Sequence, residues 1–357
     1  MKANESKINT SKKAMEIGIY TFGDVIKNKQ TGERRNSHQR IKEIIEAAKL
    51  ADEAGLDIFG IGEHHSNDFA VSAPAIVLAA IAQQTKQIRL TTATTVLSTN
   101  DPVRIYEDFA TLDLISDGRA EILAGRGAFI ESFPLFGYDL NDYNELFAEK
   151  IELLLKLNEN KPITWHGKFR SSLDRVELTP HPMQDKLPIW IGVGGTPESA
   201  RRAGQFGTGM ALAILSGNGD RFKPLVDVYR KAGTLAGHDL EQLKVGVTTH
   251  AYIATTSQQA KEEFYPSYAN YFGYLMKLMH GIESNITRND FEELSRQLCI
   301  GSPQQIIEKI LYQYELFGHQ RFIAQMDIGN MPYRQVVKAI ELLATEVAPV
   351  IRRETSK

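Results

Sequence analysis

A single cysteine, Cys299, stands among 357 residues. It can neither close an internal disulfide nor supply a multi-cysteine metal site, so disulfide frameworks and zinc ribbons are excluded, and a reducing, cytoplasmic setting is expected. An excess of charge is equally lacking: 41 lysines and arginines face 44 aspartates and glutamates, leaving a formal charge of -3. Nucleic-acid binding requires a basic footprint that such a balance does not provide. No apolar run approaches the roughly 20 residues that span a bilayer. The opening stretch, Met1 to Lys13, is polar with no apolar segment behind it, so neither membrane insertion nor export is expected. Against these absences stand 42% hydrophobic residues, 24% charged residues and 27 glycines, which is ordinary globular usage.

Short apolar runs of strand type alternate with longer segments of helical spacing along almost the whole chain, the rhythm of a parallel sheet. Eight runs are counted: Met15 to Tyr20, Asp57 to Gly62, Ile88 to Ala93, Ala120 to Ala124, Pro188 to Val193, Gly209 to Leu215, Val245 to Ala254 and Arg321 to Met326. Eight βα units predict a (β/α)8 TIM barrel, one domain over residues 14–350, with a polar tail over 1–13 and a frayed tail over 351–357. Insertions are expected after strands four and seven. Following a helix from about Asn144 to Leu157, runs at Ile163 to Trp165 and Arg175 to Leu178 read as a hairpin-like excursion. The stretch between strand seven and Pro303 is too long for an ordinary βα loop and reads as either a mobile lid or a segment packed on the rim. The helix from Pro74 to Ala82 is apolar on nearly every side, which predicts burial against another helix layer or a second subunit.

In such a barrel the chemistry belongs to residues just after each strand. Here those are Glu63, His64 and His65; Thr94 and Thr95; Gly125, Arg126 and Gly127; and Gly194, Gly195 and Thr196. The run Gly194-Gly195-Thr196-Pro197-Glu198-Ser199 joins a strand to a helix whose first N–H groups point outward, with Thr196 placed as N-cap. Glycine backbone at a helix N-terminus is a phosphate cradle, and Arg126 on the neighbouring strand adds a permanently charged clamp. The spacing fits neither a dinucleotide fingerprint nor a P-loop. His64 and His65 provide an imidazole at the barrel mouth for proton transfer. Because adjacent strand residues face opposite ways, one histidine is expected in the cavity and the other outside. Neither H-x-H nor H-E-x-x-H spacing is present, so no metal site is expected. His181, His250 and His280 are isolated and read as surface or satisfied histidines.

Taken together, "GIGEHH", "TTATTVLSTNDPVRIYEDFATLDLISDGRAEILAGRGAF", "IGVGGTPESARRAG" and "GSPQQIIEKI" resemble, in this order, the luciferase-like flavin-dependent monooxygenases. The resemblance spans about Glu16 to Val350 and is strongest from Ile88 to Leu157. It implies a TIM barrel that binds reduced FMN, or in some branches a deazaflavin, and uses O2 to oxygenate a small organic substrate, with a separate flavin reductase and a homodimer or higher oligomer. By the same resemblance His64 is the catalytic histidine, and Ala93 and Thr94 form a non-proline cis peptide beside the flavin ring. Arg126, Gly194, Gly195, Thr196 and Ser199 hold the phosphate, and Glu63 belongs to the cofactor-binding set.

One position departs from the pattern: bacterial luciferase carries a reactive cysteine just before the arginine, where this chain has Gly125. Light emission and an aldehyde substrate therefore do not follow. The aromatics Phe129, Phe133, Phe136, Tyr138 and Tyr143 read either as the wall of an organic-substrate pocket or as a packed rim loop. Three other functions remain open at this level: deazaflavin-dependent hydride transfer, flavin binding without turnover, and a metal-dependent hydrolase using His64 or His65.

Overall fold

The computed structural model describes residues 13–28, 32–215 and 218–356. Most of the expected polar tail, residues 1–12, lies outside the described residues. The chain begins with strand β1 (Glu16–Thr21), helix α1 (Ser37–Glu53), β2 (Ile58–Ile61) and α2 (Pro74–Ala82). Strands β3 (Arg89–Thr92) and β4 (Thr95–Val96) precede α3 (Pro102–Ile115) and β5 (Ile122–Gly125). Helices α4 (Ser132–Leu135) and α5 (Tyr143–Leu157) lead to an antiparallel pair, β6 (Ile163–Trp165) with β7 (Leu173–Val176). Then come β8 (Ile189–Val193), α6 (Pro197–Gln205), β9 (Gly209–Ile214), α7 (Lys223–Leu235) and β10 (Val245–Ile253). The last third holds α8 (Ser257–His280), α9 (Arg288–Gln297), β11 (Cys299–Gly301), α10 (Pro303–Phe317), β12 (Arg321–Gln325), α11 (Tyr333–Leu342) and α12 (Ala348–Thr355).

Parallel pairing runs β3-β2-β1-β12-β10-β9-β8-β5-β4. Because β3 and β4 are two pieces of the third strand, one pairing β2 and the other β5, the ring closes on eight strand positions. This is the expected TIM barrel. The interruption between them is the Ala93–Thr94 peptide, which is cis. The bottom of the barrel is plugged by Arg321, which pairs with Glu121 at 2.5 Å and Glu16 at 2.8 Å and lies 4.2 Å from the Trp190 ring. The opposite end, at the strand C-termini, is thereby left for the site.

Local chemistry explains several boundaries. Asn36 and Asp101 accept N–H bonds as N-caps of α1 and α3, Thr287 and Asp290 form a capping box on α9, and Gly281 and Gly318 end α8 and α10 in the left-handed region. The segment after the seventh strand position is ordered as α8, α9 and β11, a strand with no separate signal in the sequence, which pairs with β10. Helix α8 packs on β10 and β11, with Phe264, Tyr268 and Tyr271 buried and Tyr274 reaching Phe69.

One expectation is corrected. The residues after 350 are not frayed: α12 continues to Thr355, whose hydroxyl accepts the Met15 N–H at 3.0 Å, while Arg352 donates to Gly55 O and Asp57 at 2.7 Å each. A carboxylate and a free strand-start N–H fasten what a terminal position would otherwise leave loose. Helix α2 is buried on one side only. Val77, Leu78 and Ile81 join the core, whereas Ile76 is 72% exposed and lines a surface groove with Ile115 of α3.

Candidate active site

A cavity of about 260 Å³ opens at the C-terminal ends of the strands. Tyr20 and Phe22 come from β1 and its end, Glu63, His64 and His65 from the end of β2, Ala93 and Thr94 from the cis peptide, and Thr248 from β10. Opposite them stand Gly125 and Arg126 after β5 and Gly194 after β8. Sequence order thus separates by more than two hundred residues, from Tyr20 to Thr248, what the closed ring brings together.

Small residues make the room. Gly125 lies against Thr94, and a Cβ on Gly125 would stand 2.3 Å from Thr94 Oγ1. Ala93, Gly192, Ala211 and Ala213 line the same cavity. Gly195, at φ +141, turns the chain out of β8 into α6 through a conformation that favours glycine.

Beyond these small residues the cavity becomes cationic. Arg126 donates to Asn144 Oδ1 at 2.8 Å and to Thr196 Oγ1 at 3.3 Å, and sits 5.1 Å from the Tyr143 ring. Thr196 occupies the N-cap position of α6 but does not cap with its side chain; its hydroxyl bonds Ser199 Oγ at 2.8 Å instead. The first N–H groups of a helix have no intrahelical acceptor, so Arg126, two hydroxyls and a positive helix end converge beside Gly194 and Gly195. Arg202, on α6, is a second guanidinium here; burial holds it below its ordinary pKa, opposed by Glu198 and reinforced by repulsion from Arg126. The arrangement suits a dianionic phosphate.

At the other end His64 is enclosed by aromatic rings: Phe69 stacks at 4.0 Å, while Phe22 and Phe129 approach edge-on at 4.8 and 4.7 Å. Burial lowers its pKa from the ordinary 6.5, with Glu131 pulling the other way. At neutral pH the ring is therefore uncharged and able to take up a proton. His65 also lines the cavity, contrary to the expectation that only one histidine would, because the chain leaves strand geometry after Ile61. Its Nε2 bonds Glu63 Oε1 at 2.9 Å. Glu63 accepts further bonds from Val96 N–H and Asn100 Nδ2, both at 2.9 Å, so this carboxylate ties the end of β2 to β4.

The residues singled out in the sequence thus meet in one place: Glu63, His64, Ala93, Thr94, Arg126 and Gly194 line the cavity, with Gly195, Thr196 and Ser199 at its cationic end. Of the aromatic run, Phe129 and Tyr143 line it, Phe133 is core beneath Tyr143, Phe136 packs exposed against His65, and Tyr138 lies under Lys150. Tyr20, Phe22, Glu131, Asn144, Arg202 and Thr248 were not anticipated. Asn144 and Arg202 were findable, lying on helix faces next to Arg126 and Ser199; the others carry no motif. His250 corrects an expectation: it is neither on the surface nor satisfied. It is 3% exposed, both ring nitrogens lack partners among the described residues, and its pKa is pushed down to about 4 by burial.

Comparison with known proteins agrees with the expected fold and family. The sequence profile of the luciferase-like monooxygenases matches residues 15–320. The oxygenase component of flavin-dependent trigonelline monooxygenase from Acinetobacter baylyi is 24% identical, over 94% of this chain and 95% of its own. Among solved structures, monooxygenase RslO1 from Streptomyces bottropensis superimposes with a TM-score of 0.81 at 23% identity, covering 94% of this chain and 99% of that one. The oxygenating constituent of 3,6-diketocamphane monooxygenase from Pseudomonas putida, solved with FMN, gives 0.75 at 23% identity over 94% and 98%. With a profile match over most of its length, the chain belongs to the luciferase-like monooxygenase family of oxygen-incorporating oxidoreductases.

Proposed function

We propose that this protein is the oxygenating component of a two-component system, taking reduced FMN from a separate reductase and using O2 to oxygenate a small organic substrate. The observation that carries the reading is the convergence of Arg126, Thr196, Ser199 and the α6 N-terminus at one end of a cavity whose other end presents His64. Arg126, with Gly194, Gly195, Thr196 and Ser199, would hold the phosphate, and Ala93 and Thr94 would support the ring system where the small residues leave space. When bound, reduced flavin supplies the two electrons with which O2 is activated.

His64, neutral and enclosed, moves protons at Nε2; the rings of Phe22, Phe69 and Phe129 keep water away from it. Glu63 has both oxygens occupied by protein donors and acts by holding the segment that carries Thr94. The description of the Acinetobacter relative as an oxygenase component supports a separate reductase. The exposed Ile76, which shares a surface groove with Ile115, supports a homo-oligomer, since exposed apolar surface is costly to leave in water.

The test is an anaerobic titration with reduced FMN, oxidised FMN and a reduced deazaflavin, for the parent and Arg126→Ala. Tight binding of reduced FMN, weakened by the substitution, is expected. Preference for the deazaflavin, or binding indifferent to Arg126, would overturn the reading. Rapid flavin reduction by NADH or NADPH alone would remove the separate reductase.

A further inference from the structure

His64 and Glu131 come from loops after different strands and meet at the edge of the cavity. His64 Nδ1 is buried, has no hydrogen-bond partner among the described residues, and has the Glu131 Oε1 carboxylate oxygen 3.8 Å away. Nε2 is not among the buried unpartnered atoms and no described protein group bonds it, so it is the ring nitrogen that reaches the cavity. Phe22, from the end of β1, and Phe69 and Phe129, from the loops after β2 and β5, close the remaining faces with uncharged rings. On α8, Tyr274 meets Phe69, at 6.0 Å between ring centroids. The other titratable neighbours, Glu63 and His65, are bonded to each other, and Glu63 is further held by Val96 and Asn100. Among the described residues, Glu131 is thus the one carboxylate turned toward His64 that is not already committed to fixed donors on every side.

We propose that Glu131 is the positioning residue of His64: its carboxylate accepts the Nδ1 hydrogen and so fixes the tautomer whose bare Nε2 faces the cavity. Shortening 3.8 Å to the roughly 2.8 Å of a charge-assisted bond requires only rotation of a side chain that is one-quarter exposed and held at Oε1 by the His65 N–H at 3.3 Å. The proton balance is simple. A reacting group gives its proton to Nε2, the imidazolium that forms is stabilised by the ionised Glu131, and Nε2 later returns the proton. Glu131 itself stays charged: burial raises its pKa, but the His64 ring and backbone donors outweigh burial and hold it below the usual carboxylate range. The same two opposing influences act on His64, where burial favours the neutral base and Glu131 keeps the charged form within reach.

What reacts in the cavity rests on the flavin reading above, whereas the Glu131–His64 pairing is a property of the flavin-free chain. Long-range proton–nitrogen NMR on histidine-labelled apoprotein reads the tautomer and titration of His64, assigned with His64→Asn. The Nδ1–H tautomer is expected in the parent. Glu131→Gln, an isosteric change, is expected to lower the pH at which His64 titrates, and Glu131→Asp to fall between the two. With reduced FMN bound, reoxidation by O2 across pH should be roughly tenfold slower in Glu131→Gln, with a shifted pH midpoint and unchanged affinity for reduced FMN. A folded Glu131→Gln protein with parental His64 tautomer and titration would overturn the proposal. Failure of the parent to bind reduced FMN, with the NMR shift present, would remove the flavin reading and leave the pairing standing.

Discussion

Thr94 fills the space in which a side chain at position 125 would stand. A Cβ on Gly125 would lie 2.3 Å from Thr94 Oγ1 and 2.9 Å from Thr94 Cβ. The cysteine that bacterial luciferase carries at this point therefore has no room unless Thr94 moves. Gly125→Cys is expected to cost about 1–3 kcal/mol in urea denaturation, as overpacked positions do. Adding Thr94→Ala removes Oγ1 and Cγ2 and should recover part of that loss. Strictly additive losses in this double-mutant cycle would mean that the two positions do not share space.

Arg126 and the α6 N-terminus converge where a phosphate would sit, so affinity for that group is separable from affinity for the ring. Arg126→Ala should weaken reduced FMN binding by about 1.5–3 kcal/mol, the range for charged hydrogen bonds. Reduced riboflavin, which lacks the phosphate, should bind parent and variant alike. Equal losses for both ligands would place Arg126 at the ring or in the fold instead.

Glu63 bonds three donors with two oxygens, joining the end of β2 to Val96 and Asn100. Replacing it with alanine leaves a buried N–H without an acceptor, which costs roughly 1–3 kcal/mol. Glu63→Gln should be little better, because its amide NH2 would face another donor. Both variants should exchange the Val96 amide hydrogen faster than the parent. Parental protection of Val96 in a folded variant would show that the carboxylate does not hold β4.

The barrel and the cationic end of the cavity were legible because both follow from strand ends: once eight βα units are counted, Arg126 and Gly194-Gly195-Thr196 stand on the same rim. The split of the third strand at Ala93–Thr94 was legible only through family resemblance, since nothing in the local composition marks a cis bond. Glu131 was invisible. It lies in a loop with no periodicity, and its relation to His64 exists only when the β2 and β5 ends are brought together. The docking of Arg352 and Thr355 was missed for a similar reason: a charged, polar terminus looks frayed until Asp57 and the Met15 N–H are placed against it. Interior histidines are likewise hard to read, because His250 and His319 sit in runs where strand alternation does not separate a filled core from a cavity wall.

Those two histidines contribute to the acid behaviour of the protein. Burial pushes His250 down to about 4 and His319 to about 3. In the unfolded chain each takes up its proton near pH 6.5. Below that pH the unfolded state binds protons that the native state refuses. The stability these residues carry is thus complete above about pH 6.5, and each loses about 1.4 kcal/mol per pH unit as acid approaches its folded value. Asp24 works in the opposite direction: burial raises its carboxyl to about 6 against the pull of Arg40, so the native state binds this proton first and gains stability between about pH 6 and 4. The likewise raised Asp108 adds to this gain, the lowered His64, Glu16, Asp52 and Glu131 add to the losses, and a net loss on acidification is expected. His319→Leu, an apolar replacement packed between Tyr314 and Phe317, should flatten the decline measured by urea denaturation across this range. Asp24→Asn, which keeps an oxygen for the Gly329 N–H, should steepen it. If His319→Leu kept the parental slope, the buried neutral histidine would not be what acid attacks; if Asp24→Asn also left it unchanged, neither group would titrate differently in the folded and unfolded states.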